Sequence, residues 1–405
     1  MWNLNHLKMK GNGIKILRGV CNYYTKGRTE ARIWEGCINH GTYSLSTVRS
    51  YVTKGYSAKP PWRILFFGSD DFAVESLKRL HASRQDTKDR VVESLEVVTL
   101  SKDVPVRKYA VLNKLPVHDW PKVDIHGQFD VGVVVSFGCL LQENLISQLP
   151  YGILNVHPSL LPRWRGSAPV FHTILHGDKE TGVTIMQIRP KRFDVGPVLH
   201  QEVYQVPERC TADELGASLA VLGARLLIDT LKNLPERLAN RKEQSKEGAT
   251  FAPKIKSSMS WIVWEEQTCA QIDRLYRAIG SRIPLRTIWM GCTVKLLDFV
   301  DKHEVSLLGS ETAVPGSIRY QKKSNTLLVR CKDGWVGFKA VMLKKRLSAA
   351  DFYNGYLHQS FLKRPSAQSN CLFLSNKDKI SPYVRGQDDK KSLLNEIVLF
   401  KSIHA

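Results

Sequence analysis

The sequence predicts an α/β protein: a Rossmann-like, mostly parallel sheet followed by a small β-barrel of the oligonucleotide-binding type. Between residues 61 and 240, short apolar runs alternate with longer stretches of helical periodicity, which is typical of strands joined by crossover helices. After residue 255, one helical stretch precedes several short strands separated by turn signals. This second pattern fits a small barrel, although other small β folds share it.

The first domain is expected over residues 61–240. Residues 63–67 predict a buried first strand, and Asp70 or Asp71 can cap the helix that follows. Thr211 and Glu214 form a capping box that begins the closing helix, whose leucines recur at helical spacing. The other strands of this domain are expected at residues 95–100, 130–137, 152–157 and 182–188.

The second domain is expected over residues 255–362, after a polar linker at residues 241–254. Thr268 and Gln271 form another capping box, and Gly280 is a stop signal for the helix. Residues 333–334, Asp-Gly, favour a two-residue hairpin turn. Strands are expected at 287–290, 293–300, 316–320, 326–332 and 335–343, and residues 363–405 are expected to form a loosely ordered tail.

Charge is distributed unevenly along the chain. The excess of Lys and Arg over Asp and Glu is +8 in residues 1–60, 0 in residues 61–240 and +13 in residues 241–405, which together give the net charge of +21. A neutral domain beside a basic one suggests catalysis in the first and contact with a polyanion in the second, whereas a basic surface without a partner is the alternative. Residues 1–60, which are poor in acidic residues, resemble an organelle transit peptide, or alternatively a disordered basic arm.

Several classes of protein and site are not expected. The eight cysteines lie far apart without a Cys-x-x-Cys pair, so we predict neither a disulfide framework nor a metal site. No apolar stretch reaches the roughly 20 residues that cross a bilayer, so no membrane partner is expected. Residues 68–71 lack the further glycines of a dinucleotide fingerprint.

Asn155 and His157 are the first candidates for catalysis. They occupy positions i and i+2 of a predicted strand that Pro158 ends, so both side chains should point to one face near its carboxyl end. Open α/β sheets place their ligands at this end of the strands. An amide can donate to a developing oxyanion and an imidazole can move protons, which together suit acyl transfer.

Asp194 is the candidate carboxylate. It follows the strand expected at residues 182–188, and it can hydrogen-bond His157 and order a water for proton transfer if that strand neighbours the one carrying His157. An ordinary turn aspartate is the alternative, because Gly196 follows two residues later.

These residues carry a resemblance to the folate-dependent N-formyltransferases. Residues 155–162, which read Asn-Val-His-Pro-Ser-Leu-Leu-Pro, are similar to the catalytic strand and turn of that family, and residues 136–141 are similar to its pterin loop. The resemblance implies catalysis by Asn155, His157 and Asp194, with 10-formyltetrahydrofolate as formyl donor; the residue spacing already excluded a metal. It also implies contact between the folate donor and Phe137, Gly138, Leu140, Leu141, Ser159, Leu160, Leu161 and Pro162.

Two features favour the members of the family that act on tRNA. Residues 163–169 are similar to the segment that follows the catalytic strand in those members, and residues 275–352 are similar to their C-terminal barrel. The resemblance then implies a monomer in the mitochondrial matrix that formylates the methionine carried by initiator tRNA. A formyl-folate hydrolase or a small-amine formyltransferase is the alternative. The implied tRNA contacts are Arg163, Arg165, Lys191, Arg192, Lys254, Lys256, Lys344, Lys345 and Arg346.

One departure concerns discrimination between tRNAs. The connection after Leu100 is shorter than the basic loop that bacterial relatives place against the acceptor stem. How elongator tRNA is refused is therefore not predicted by the resemblance.

Overall fold

The computed structural model describes residues 57–100, 103–123, 128–300, 313–358 and 372–376. The predicted transit segment lies outside these residues except for 57–60, and the predicted tail lies outside them except for 372–376. Among the described helices, none combines the length and the apolar character that crossing a membrane requires.

The first domain contains a seven-stranded sheet with the order β3-β2-β1-β4-β5-β6-β7. β1 to β5 pair in parallel, whereas β6 and β7 pair in antiparallel fashion, which confirms the mostly parallel sheet. The pattern of apolar runs did not predict β3 or β7, which are half exposed. The strands are β1 (Trp62–Gly68), β2 (Val92–Thr99), β3 (Val117–Asp119), β4 (Val131–Val135), β5 (Ile153–His157), β6 (Glu180–Gln187) and β7 (Val198–Gln205).

Helices cover both faces of this sheet. Ile64 and Phe66 of β1 pack into the larger apolar core with the leucines of two long helices, while Leu65 and Phe67 pack into a smaller core on the opposite face. Burial of consecutive apolar residues on both faces is what a central parallel strand requires. The helices are α1 (Asp71–Gln85), α2 (Pro105–Leu112), α3 (Glu143–Ser147), α4 (Pro169–His176), α5 (Ala212–Lys232) and α6 (Leu234–Ala239).

The predicted caps are present. The side chain of Asp70 accepts a hydrogen bond from the N–H of Ala73 at the start of α1. Thr211 and Glu214 form the capping box of α5, and Thr268 and Gln271 form that of the helix that begins the second domain. These reciprocal bonds satisfy N–H groups that the first turn leaves unpaired, so they fix where each helix begins.

The second domain is an antiparallel barrel preceded by one helix. Its strands follow the order β10-β11-β12-β9-β8, and β13 pairs with β12. All five predicted strands are present, and β13 is an addition. The elements are α7 (Cys269–Ile279), β8 (Leu285–Trp289), β9 (Cys292–Val300), β10 (Ile318–Gln321), β11 (Thr326–Arg330), β12 (Trp335–Met342), β13 (Arg346–Ser348) and α8 (Ala349–Phe352).

Residues 372–376 differ from the predicted loose tail because they close this barrel. Leu374 pairs with Ile288 of β8, and Leu372 pairs with Ser317 at the start of β10, so one segment bridges the two free edges. Phe373, between them, is 1% exposed and belongs to the apolar core. The tail prediction failed here because an apolar segment far along the chain satisfies two unpaired strand edges, which sequence periodicity does not reveal.

Residues 241–254 also differ from a free linker. Lys242 pairs with Val198, and Phe251 pairs with Arg165, so the segment runs along the first domain. Beyond it, helix α7 packs on α4, and Arg277 donates to the carbonyl oxygen of Cys210 at 2.9 Å. The two domains thereby share one continuous apolar core.

Candidate active site

Asn155 and His157 lie on β5, between parallel β4 and antiparallel β6. Asn155 is opposite Met186 and His157 is opposite Thr184, so both residues lie next to β6. Asp194 follows β6, and it can reach His157 only if these two strands are neighbours. The side chains are spaced two residues apart and share one face of the sheet. His157 is 4% exposed and Asn155 is half-buried. The strand therefore presents an amide and an imidazole side by side at its carboxyl end.

Asp194 reaches this face through a tight loop after β6. The N–H of Gln187 donates to the carbonyl oxygen of Pro197, which closes the loop at its base. A Cβ at Gly196 would lie 1.8 Å from the carbonyl oxygen of Gln187, so only glycine allows the chain to pass this close. Asp194 has a φ of +52°, a left-handed conformation that aspartate tolerates better than most residues.

The three predicted catalytic side chains converge, although not through the bond that we predicted. Asp194 Oδ1 accepts a hydrogen bond from Asn155 Nδ2 at 3.2 Å, and it lies 3.6 Å from His157 Nδ1. The second carboxylate oxygen accepts from the backbone N–H of Gly166 at 2.9 Å. The expected direct hydrogen bond between Asp194 and His157 is thus replaced by an ion-pair distance, and Asn155 is the direct partner.

The imidazole orientation is set by a backbone carbonyl. His157 Nε2 lies 2.9 Å from the carbonyl oxygen of Trp164, and because a carbonyl only accepts, Nε2 carries a proton. Nδ1 is consequently the nitrogen that faces Asp194, and a protonated His157 would direct its Nδ1–H toward the carboxylate. The side chain of Asp194 is 11% exposed, so this attraction acts largely away from solvent.

Gln244 was not predicted, yet it links the Asp194 loop to the segment after β5. Its Nε2 donates to the carbonyl oxygens of Asp194 at 3.0 Å and Gly196 at 2.8 Å. Its Oε1 accepts from Arg165 Nε at 3.0 Å and Nη2 at 2.7 Å. Nothing in the polar segment 241–254 distinguishes this glutamine, because its role depends on pairing between residues about 80 positions apart.

Arg163, predicted as a tRNA contact, is bound within the protein. Its Nε and Nη2 donate to the two carboxylate oxygens of Asp178 at 2.8 and 2.6 Å, and its guanidinium lies 4.3 Å from the ring centre of Trp164. The indole of Trp164 donates to the same carboxylate at 2.8 Å. This cluster fixes Trp164, whose carbonyl orients His157.

The residues predicted to contact folate divide into two groups. Phe137, Leu141, Ser159 and Leu161 are buried; Phe137, for example, packs against Phe67 and Trp120. Gly138 has open space where a Cβ would stand, and Leu140 is 51% exposed, so these two lie at the surface. Leu160 and Pro162 are half-buried. The buried members contribute to the packing beneath this surface, and the others are accessible to a ligand.

The other predicted tRNA contacts are exposed, apart from half-buried Arg165, which is engaged with Gln244. Lys191 pairs with Glu143 at 3.0 Å, and Arg346 pairs with Asp298. Lys254 and Lys256 follow Phe251, which pairs with Arg165 in the segment after β5. Lys344 and Lys345 lie in the turn between β12 and β13.

Comparison with known proteins identifies the family. The formyl transferase family matches residues 123–231, and its C-terminal domain family matches residues 254–357. The chain is 59% identical to human mitochondrial methionyl-tRNA formyltransferase over 324 residues, which cover 78% of this chain and 83% of the human protein. It is 35% identical to the methionyl-tRNA formyltransferase of Roseobacter denitrificans, over 72% of this chain and 95% of that protein.

Solved structures support the fold. An N-formyltransferase from Helicobacter canadensis in complex with folinic acid and dTDP-3-aminofucose superimposes with a TM-score of 0.51 at 16% identity, covering 70% of this chain and 99% of that one. HypX from Aquifex aeolicus in complex with tetrahydrofolic acid gives a TM-score of 0.50 at 18% identity, with coverage of 74% and 48%. From the two domain matches and the extent of the identities, the chain belongs to the formyltransferase family, on the branch of the methionyl-tRNA formyltransferases.

Proposed function

We propose that the chain transfers the formyl group of 10-formyltetrahydrofolate to the α-amine of methionine esterified to initiator tRNA, in the mitochondrion. The observation that supports this most is the convergence of Asn155, His157 and Asp194, in which Asn155 Nδ2 lies 3.2 Å from Asp194 Oδ1. The chain that carries them is similar to mitochondrial methionyl-tRNA formyltransferases. One chain supplies all three groups, so a second copy is not needed to complete the site, and we propose that the enzyme acts as a monomer.

The reaction is an acyl transfer without a covalent enzyme intermediate. The amine nitrogen attacks the formyl carbon, which forms the new C–N bond and a tetrahedral oxyanion. Asn155 Nδ2 carries a second hydrogen beyond the one given to Asp194, and that hydrogen can donate to the oxyanion. A donor of this kind contributes about 3 kcal/mol to stabilising such a transition state.

Proton transfer falls to His157 and Asp194. As the bond between the formyl carbon and folate N10 breaks, the amine must lose a proton and N10 must gain one. Asp194 faces His157 Nδ1 and is 11% exposed, so this pair can hold a proton beside the reacting groups and order a water that carries it. The overall exchange is balanced: one N–H is lost at the amine and one is gained at N10.

The basic surface supports a polynucleotide acceptor over a small amine. Lys344, Lys345 and Arg346 are exposed at one turn of the barrel, and Lys191 and Arg192 are exposed in the loop that carries Asp194. Lys254 and Lys256 are exposed just after the segment that pairs with Arg165. Cations on both domains would hold the tRNA body while the aminoacyl end enters a cleft in the neutral domain. We propose that Arg163 and Arg165, which are engaged with Asp178 and Gln244, position the site and contribute less to phosphate binding.

The test is transfer of label. Purified protein would be incubated with 10-formyltetrahydrofolate labelled in the formyl group and with charged initiator tRNA. We expect label on methionine, and in Asn155→Ala we expect turnover to fall by about 100-fold while tRNA affinity is unchanged. If labelled formate were released at the same rate without tRNA, the protein would be a hydrolase. If the rate of formyl transfer did not depend on salt concentration, the acceptor would be a small amine.

A further inference from the structure

Three potential metal ligands meet in the second domain, away from the catalytic residues. Cys269 is the first residue of α7, Cys331 follows β11, and Asp333 lies in the turn between β11 and β12. Their two sulfurs and one carboxylate oxygen all lie within 4.8 Å of one another. The sequence did not predict a metal site because 62 residues separate the two cysteines, and only the fold brings α7 against the hairpin.

The distances suit one small cation. The two sulfurs are 3.3 Å apart, and Cys331 Sγ is 3.5 Å from Asp333 Oδ1. Tetrahedral zinc with bonds of about 2.3 Å to each sulfur would hold the sulfurs about 3.8 Å apart. The two sulfurs therefore need to separate by only about half an ångström to accept the ion.

The backbone holds the carboxylate in place. The N–H of Cys269 donates to Asp333 Oδ1 at 2.7 Å, which holds this oxygen 3.5 Å from Cys331 Sγ before any ion arrives. A Cβ at residue 334 would lie 2.8 Å from Cys269 Sγ, and Gly334 leaves that space free. Cys331 is fully buried, Cys269 is partly exposed and Asp333 is exposed, so the cluster is closed on one side and open to solvent on the other.

We propose that Cys269, Cys331 and Asp333 form a binding site for one thiophilic divalent cation of the zinc class, with a solvent molecule as the fourth ligand. Two thiolates and a carboxylate match the sulfur and oxygen donors that zinc accepts. Binding releases the two thiol protons to solvent. The ion fastens the beginning of α7 to the β11–β12 hairpin, and so ties the helix at the domain interface to the barrel.

A disulfide is the competing chemistry for two sulfurs this close. It would need an oxidant and would form one S–S bond with loss of two protons and two electrons, without any use for an oxygen ligand. A carboxylate oxygen held within 4.8 Å of both sulfurs favours a cation. Oxidation is therefore an outcome that the experiment must distinguish.

The experiment uses the full chain, reduced with a non-thiol phosphine and freed of metal by a chelator. Cobalt(II) is added first, because thiolate ligation produces a charge-transfer band in the near ultraviolet, and zinc is then titrated against a chromophoric chelator. We expect one ion per chain and a cobalt band that is absent in Cys269→Ser and Cys331→Ser. We also expect at least tenfold weaker zinc binding in Asp333→Asn.

Cys292→Ser is the matched control, because Cys292 is an exposed free cysteine. It should leave the cobalt spectrum and zinc affinity unchanged. Should Cys331→Ser fail to fold, the partly exposed Cys269 gives the same test, with circular dichroism to verify folding. Cobalt spectra that persist in Cys269→Ser would overturn the proposal. The proposal would also be overturned if the reduced wild-type protein bound no zinc. This holds equally if a disulfide between Cys269 and Cys331 formed on exposure to peroxide in that protein.

Discussion

Replacing Gln244 with alanine tests how much activity depends on the fixed position of Asp194, because the change leaves the Asp194 carboxylate in the protein. The glutamine touches neither Asn155 nor His157 in the described contacts, but its amide bonds two carbonyl oxygens of the Asp194 loop and two nitrogens of Arg165. The change removes these four hydrogen bonds, together with a longer one from Gln244 Nε2 to Met186 Sδ at 3.9 Å, and leaves the carboxylate itself intact. Activity should therefore fall only insofar as the loop loses its fixed position.

The magnitude follows from those bonds. Each contributes roughly 0.5–1.5 kcal/mol net, and water can replace part of the loss because the surroundings are only partly buried. We expect the free energy of unfolding to fall by about 2 kcal/mol. If the activation free energy of formyl transfer rises by the same amount because Asp194 is no longer held in place, the rate falls by about 30-fold. A difference of 1.4 kcal/mol corresponds to a factor of about ten.

The assay is single-turnover formylation of charged initiator tRNA at saturating folate donor, with tRNA affinity measured separately. The slower step should appear in the rate at saturation, while the affinity for tRNA stays within about twofold. Gln85→Ala is the matched control, because Gln85 is exposed at the end of α1. A Gln244→Ala rate within twofold of wild type would refute the positioning role.

Three further predictions test other parts of the structure. Burial lowers the pKa of His172 from 6.5 to about 4, so the unfolded state binds the proton first and stability falls as pH drops from 6.5 toward 4. Denaturant unfolding should show a loss of about 2 kcal/mol between pH 7 and pH 5 that His172→Gln lacks; equal losses in both proteins would contradict it. Gly196→Ala places a Cβ 1.8 Å from the carbonyl oxygen of Gln187 and should abolish formylation. The control Gly216→Ala should not, because the nearest atom to its added Cβ is 4.0 Å away. A fully active Gly196→Ala variant would be inconsistent with the loop geometry. Lys344→Ala should reduce the slope of log affinity for tRNA against log salt by about 1, and an unchanged slope would exclude a phosphate contact there.

The sequence predicted those features that local spacing determines. Asn155 and His157 share a face because two residues separate them on a strand, and both capping boxes begin helices where their spacing places them. The alternation of apolar runs with helical stretches likewise predicted five of the seven strands in the first sheet. In each case a short segment contains all the information that the prediction needs.

Features that depend on distant pairings were not predictable in the same way. Asp194 bonds Asn155 because a loop of fixed geometry returns beside β5, and Gln244 joins that loop from a segment that resembled a linker. Phe373 closes the barrel from a region without periodicity, and Cys269 meets Cys331 only after α7 docks. These contacts follow from topology, and no local pattern in the sequence encodes them.

A double-mutant cycle on Asn155 and Asp194 tests most directly whether these two groups act together. Single-turnover formylation of charged initiator tRNA would be measured for Asn155→Ala, Asp194→Asn and the double variant, with circular dichroism to verify folding. Because the two side chains share a hydrogen bond of 3.2 Å in one site, we predict that each single change costs about 100-fold and that the double variant is little slower than the slower single one. Losses that multiply, or an Asp194→Asn enzyme within threefold of wild type, would contradict a shared catalytic centre.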